Sequence, residues 1–229
     1  MNIARTTAIV GSMGVLAGLL VAPVQAADGG LDVAAKAMLQ AEDISPSLGT
    51  PHGQSFSFTR GQDSTPWLCF DGKGRSVQGK RAKDVHLKQY WLNKKGSDQL
   101  AQSVYTYASG SAAGSAWKDL KTKIKKCTGT SAGGPDQPRQ STRHGSTSRK
   151  YDGRTGRWVY STIGSSKNGE GAVMVFFRNG KSIQAVEYDA RLGRSQAAAN
   201  GAAVVVVTIV ALAIILLARW AEIVERGYE

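Results

Sequence analysis

Apolar residues recur along this chain at two different intervals, and the places where one interval gives way to the other mark its elements. Leu31, Ala34, Ala35, Met38 and Leu39 fall at helical spacing with Asp32, Lys36 and Gln40 opposite them, which predicts a short amphipathic helix from Leu31 to Ile44. Ser45-Pro46 and Thr50-Pro51 end it, because proline fixes φ and removes a backbone donor. Phe56 and Phe58 alternate with Ser and Thr as in a short strand, and Trp67 to Phe70 form the next apolar patch. The run from Asp71 to Lys83, rich in Gly, Ser, Lys and Arg, reads as a solvated loop.

Two longer strands follow. Val85, Leu87, Gln89 and Trp91 share one face of a period-2 pattern and His86, Lys88, Tyr90 and Leu92 the other; Gln99 to Ala108 repeats the style after a turn at Lys94 to Asp98. Ser111 is the expected cap of a helix from Ala112 to Cys127, whose Ala113, Trp117, Leu120 and Ile124 form one apolar stripe with the lysines largely off it. Residues 128–149 carry almost no apolar side chain and are expected to form a mobile basic loop. Strand character resumes from Trp158 to Ile163. Ala172 to Phe177 and Ser182 to Tyr188 then flank Arg178-Asn179-Gly180-Lys181, a hairpin signal because Asn and Gly tolerate positive φ.

Near the C-terminus, Ala202 to Ala218 contain one polar residue, Thr208, in a run that is at the lower edge of the roughly 17–25 residues a bilayer-spanning helix needs. Its β-branched residues, Val204 to Val207, Ile209 and Val210, come first, and Leu, Ala, Ile and then charged residues follow. This order favours a closing strand and helix over residues 202–226, with a transmembrane helix at 202–218 as the alternative.

The first 26 residues change the setting of everything after them. Arg5, an apolar stretch from Ala8 to Ala22, Pro23 and then Val24-Gln25-Ala26 have the layout of an export signal cut after Ala26, leaving residues 27–229 as a single domain outside the cytoplasm. Only Cys69 and Cys127 occur, and an exported pair is most simply a disulfide. Closing that loop stabilises by about 4 kcal/mol in the chain-entropy account. The formal charge of +12 suggests anionic envelope polymers or lipid headgroups as partners, with nucleic acid disfavoured for an exported chain.

Catalytic chemistry is absent from the pattern. His52, His86 and His144 have no metal-ligand spacing, Gly72-Lys73-Gly74-Arg75 lacks the spacing of a phosphate loop, and no Gly-x-Ser-x-Gly elbow occurs between a strand and a helix. No metal, cofactor or catalytic residue is expected. Aromatic residues on the expected strands, with basic residues near them, would line a ligand cleft. Trp67 and Trp117 are expected in the core, and Tyr90, Tyr107 and Arg157 are the candidate ligand contacts, since each lies at a strand position or end where a polar tip could face outward.

A family likeness bears on this reading. Ala37-Met38-Leu39 with Asp43-Ile44, the proline loop, Pro66-Trp67-Leu68-Cys69, Val104-Tyr105-Thr106-Tyr107 and the Ala-rich helix ending Lys126-Cys127 resemble the extracytoplasmic sensor domain of actinobacterial PknH-type receptor kinases and its free-standing relatives. Ser195-Gln196 through Ala199-Asn200 into Val204 to Val207, and then Ala211 to Arg219, are similar to that family's closing strand and helix. The resemblance implies an α+β fold, a twisted antiparallel sheet with helices packed around a cleft, and a role in sensing an envelope ligand. Two departures stand out: the family's second cysteine pair, expected near Ser195 and Ile209, is missing, and the chain holds no kinase domain.

Three classes of function follow. The favoured one is an exported, non-catalytic domain that binds a small molecule, lipid, glycan or peptide of the cell envelope. A basic adhesive protein that binds anionic polymers and a secreted hydrolase are the alternatives.

Overall fold

The structure, a computed structural model, describes residues 37–46, 48–60, 64–71, 73, 75–94, 98–131, 140–151, 153–163, 170–191, 209–216, 218 and 220. Among these residues the strands are β1 (Gly53–Arg60), β2 (Trp67–Phe70), β3 (Ser76–Gln78), β4 (Asp84–Trp91), β5 (Gln99–Thr106), β6 (Gly129–Ser131), β7 (Gln140–Tyr151), β8 (Arg154–Ile163), β9 (Glu170–Asn179) and β10 (Ser182–Arg191). Helix α1 spans Gly110–Ile124, and a second helix, α2, covers 209–216 with 218 and 220 also helical.

Eight strands form one antiparallel sheet in the order β1-β4-β5-β10-β9-β8-β7-β6, and β2 and β3 make a separate hairpin. The main sheet joins two meanders along β5 and β10, where Thr106 stands opposite Ser182 and Gln99 opposite Asp189. At the β9–β10 turn Gly180 has a φ of +51°, a region open to glycine without a side-chain clash, so the expected hairpin forms at the expected place. Gly145 serves a different need: Trp158 of the neighbouring strand lies across it, and an added Cβ would sit 2.5 Å from that ring.

Alternation along the strands sorts side chains onto two covered faces. Leu100, Val173, Val175, Phe177 and Val186 pack with Leu39, Leu48 and the α2 residues Ile209, Leu212, Ala213 and Leu216. Val159, Met174, Phe176, Ile183 and Ala185 project the opposite way against Ala113, Ala116, Trp117, Leu120 and Ile124 of α1 and against Leu68 and Val77 of the small hairpin. Trp67 is half-buried there and Trp117 buried, as core residues. The Cys69–Cys127 disulfide is formed and ties β2 to the end of α1.

Several expectations are corrected. The segment 71–83 contains β3, and its Val77 and Ala82 are buried; one apolar residue between polar neighbours is too short a signal for periodicity to register. The basic segment 128–149 is largely strand, since β6 and most of β7 lie within it, and residues 132–139 fall outside the description. A strand next to the sheet edge needs few apolar residues because backbone ladders hold it, here β8 along its length and β6 at Gln140 to Thr142, while Thr142 and Thr147 supply the buried contacts. Helix α1 begins two residues early, capped by the Ser109 hydroxyl accepting from Ala112 N, and ends at Ile124.

The first helix is also revised. Residues 31–36 lie outside the described residues, Ala37 is helical, and Leu39 donates its N–H to Gln102 Oε1 at 2.6 Å before a 3₁₀ turn at Ala41–Asp43. At the other end, Ile209 and Val210 are helical and not part of a strand: Ile209, Leu212, Ala213, Leu216 and Trp220 repeat at helical intervals and all are buried. The expected strand residues 202–208, like the export signal at 1–26, lie outside the described residues. Among the described residues, no helix is long and apolar enough to cross a membrane.

Candidate functional site

The three candidate contacts read from sequence fall in separate places. Tyr90 on β4 is buried on the α2 face, its ring 5.6 Å from Lys88 Nζ and its hydroxyl engaged with the backbone at Ala41, so the 3₁₀ turn occupies its polar tip. Tyr107, just past β5, is buried in the α1 cluster and donates its hydroxyl to the Lys80 carbonyl at 3.1 Å. Burial raises both phenols. Arg157 on β8 shares the α1 face with Tyr107 and is half-buried beside the Ser146 hydroxyl, with its Nε unpaired. In register, Arg157 stands opposite Phe176, which stands opposite Ala185, and both are buried against α1.

A different group of residues shares one half-buried floor on the α1 face of β4, β5 and β10. Gln89 faces Ala101, and Ala101 faces Glu187; one row further, Trp91 faces Gln99, and Gln99 faces Asp189. Ser103 and Tyr105 continue the same face of β5. All of these are half-buried, whereas the alternating residues Lys88, Tyr90, Leu100, Gln102 and Val104 on the other face are buried. Trp91 and Ala101 belong to none of the apolar clusters. The strip is therefore a hydrogen-bonding surface with an indole beside it.

Its electrostatics are unusual. Burial, and after it the neighbouring Asp189 charge, push the Glu187 carboxyl up to about 7 from an ordinary value of 4.5. Burial likewise pushes Tyr105 up to about 12, with a hydrogen bond to Ser103 opposing and the Glu187 charge adding. The Gln89 side-chain amide donates to Gln99 Oε1 across the strand pair. Around neutral pH Glu187 thus exists in both protonation states and can donate or accept a hydrogen bond, beside amide and hydroxyl groups that do the same.

One signal for this floor was present in the sequence. Ile183, Ala185 and Glu187 occupy alternate positions of one strand, and a carboxylate where the pattern calls for an apolar side chain marks a position with a role besides packing. No group of His, Cys, Asp or Glu with metal-holding geometry occurs among the described residues.

No family model and no curated protein matches this chain. Among solved structures, the extracellular domain of PknH from Mycobacterium tuberculosis is similar at a TM-score of 0.49 and 10% identity, covering 77% of this chain and 92% of that one. A likeness of that degree transfers no ligand and no site residue.

Proposed function

We propose that the chain is an exported, non-catalytic ligand-binding domain of the sensor type, and that the floor around Glu187, Gln89, Gln99 and Tyr105 is its ligand contact. Export is supported by the Met1 to Ala26 pattern and by the oxidised cysteine pair. The observation that carries the site is a carboxyl held near neutrality on a half-buried strand face, next to the Gln89–Gln99 amide pair and the Tyr105 and Ser103 hydroxyls. Amide and hydroxyl partners with an indole alongside suit a polar, uncharged ligand such as a glycan or peptide of the envelope. Arg157, with its orphan Nε, remains a separate candidate contact on the same face.

Titration of the oxidised protein with soluble envelope glycan and peptide fragments tests this reading, followed by thermal shift and by tryptophan fluorescence compared with a Trp91→Phe variant. Binding should be lost, by tenfold or more, in Glu187→Ala and Gln99→Ala variants that still melt cooperatively. Retention of full affinity in both variants would refute the site, and hydrolysis of a fragment would refute its non-catalytic character.

A further inference from the structure

The solvent side of α1 carries a line of cations that the helix itself does not require. Ser111, Ser115, Lys118, Thr122, Lys125 and Lys126 are all exposed, while the stripe facing the sheet is apolar. Lys80, from the segment between β3 and β4, extends the line sideways: its Nζ lies 2.9 Å from Ser115 Oγ, one turn before Lys118. Lysines in a last turn complement the helix dipole, but Lys118 in the middle of α1 and Lys80 on another segment gain nothing from it.

Among the described residues, the acids of α1 and of the segments flanking Lys80 are paired elsewhere. Asp119, the only acid of α1, is paired with Lys123 at 3.1 Å, on the flank. Asp84 is taken by Arg60 at 2.9 Å and Lys83 at 3.7 Å, and Asp71 by Arg75 at 2.8 Å. At a rise of 1.5 Å per residue the line from Ser111 to Lys125 is about 21 Å long.

We infer that this ridge is a contact surface for a linear polyanion bearing phosphate or carboxylate groups at regular intervals. Its geometry favours a polymer over a bilayer. Among the described residues the one large apolar side chain that is exposed is Ile215, on α2 and so on the other side of the sheet, which leaves the ridge with nothing to insert into acyl chains. Lysine point charges separated by hydroxyls accept successive anionic groups without demanding a fixed shape. The contact is separate from the floor around Glu187 and does not depend on it.

Long-chain inorganic polyphosphate is the probe, with tripolyphosphate and vesicles of phosphatidylglycerol as comparisons, each titrated against the oxidised protein at several salt concentrations. Long-chain polyphosphate should bind with an affinity that falls steeply with salt, by at least tenfold between about 50 and 200 mM, and tripolyphosphate should bind far more weakly. Replacing Lys80, Lys118 and Lys125 together by Gln should weaken the long-chain complex at least tenfold and flatten its salt dependence. An equal loss of charge at Lys94, Arg143 and Arg149 should change it less than twofold. Equal losses from the two triple variants, or tight binding to the vesicles alone, would overturn the assignment. Glu187→Gln, which reads out the floor, should leave polyphosphate binding unchanged.

Discussion

On one face of the sheet α2 lays down Ile209, Leu212, Ala213, Leu216 and Trp220, and is held there without any covalent link. On the other, α1 offers Ala113, Ala116, Trp117, Leu120 and Ile124 beneath a polar back, and its end is bonded to β2 through Cys127. The two helices differ in how much of their circumference is apolar, and the cover that buries the narrower stripe is the one that carries the crosslink. Polar ties differ too. Gln184 on β10 donates to the Ala213 carbonyl at 3.0 Å and Gln102 on β5 accepts from Leu39 N, so the α2 face is pinned by two buried amides. A buried amide whose partner is lost costs its full desolvation, which makes these ties specific as well as stabilising.

Removing the disulfide strikes the α1 face hardest. The double replacement Cys69→Ser with Cys127→Ser should cost about 4 kcal/mol by urea denaturation, from the freedom returned to a long loop in the unfolded chain. A loss below about 1 kcal/mol would mean that packing alone holds α1 in place. On the opposite face Leu216→Ala should cost about 3 kcal/mol by leaving a cavity between α2 and the sheet. Hydrogen exchange should then quicken in α2 and not in α1, and equal deprotection of both helices would show that the faces do not open independently.

The smallest effect separates the faces by pH. On the α2 face His86, packed 4.7 Å from Phe58 and 5.5 Å from Trp220, is held below its ordinary 6.5 by burial, with Asp84 opposing. The unfolded chain therefore takes up that proton first, and stability falls as pH drops below about 6.5. On the α1 face Glu187 has the reverse sign. The fold retains its proton up to about 7 while the unfolded carboxyl releases it near 4.5, so stability declines as pH rises across that window. Allowing for partial exposure, the Glu187 effect is about 2 kcal/mol. Thermal melts from pH 4.5 to 8 should show Glu187→Gln removing the decline toward neutrality and His86→Gln removing the acid-side loss. A pH profile unchanged by Glu187→Gln would remove the electrostatic support for the ligand floor.

Much of this architecture was legible from residue spacing. The α1 stripe, the β4 and β5 alternation and the β9–β10 hairpin each repeat over enough residues for their period to stand out. Elements held by their neighbours did not: β3 is three residues long, and β7 is a strand of polar sequence next to the sheet edge, whose ladders are made of backbone groups that every residue shares. Ile209 and Val210 carry strand-favouring side chains, yet the helical repeat with Leu212, Ala213 and Leu216 decides their conformation. The candidate contacts fared differently for a related reason. An aromatic hydroxyl at a strand position looks available in sequence, but Tyr90 and Tyr107 each meet a backbone carbonyl or turn brought from elsewhere in the chain. Glu187 stands out only when the apolar residues flanking it on the same face are counted.

The join between β5 and β10 has a kinetic meaning. Every other ladder in the large sheet links strands separated by short or moderate stretches of chain, whereas Thr106 must find Ser182 across α1 and four intervening strands. Closure over that distance loses the most chain entropy for the fewest early contacts, so zipping this seam is the expected slow step in refolding. Until it closes, the two half-sheets each present a raw inner edge, and that interval is when the polypeptide is most exposed to mispairing with its own copies.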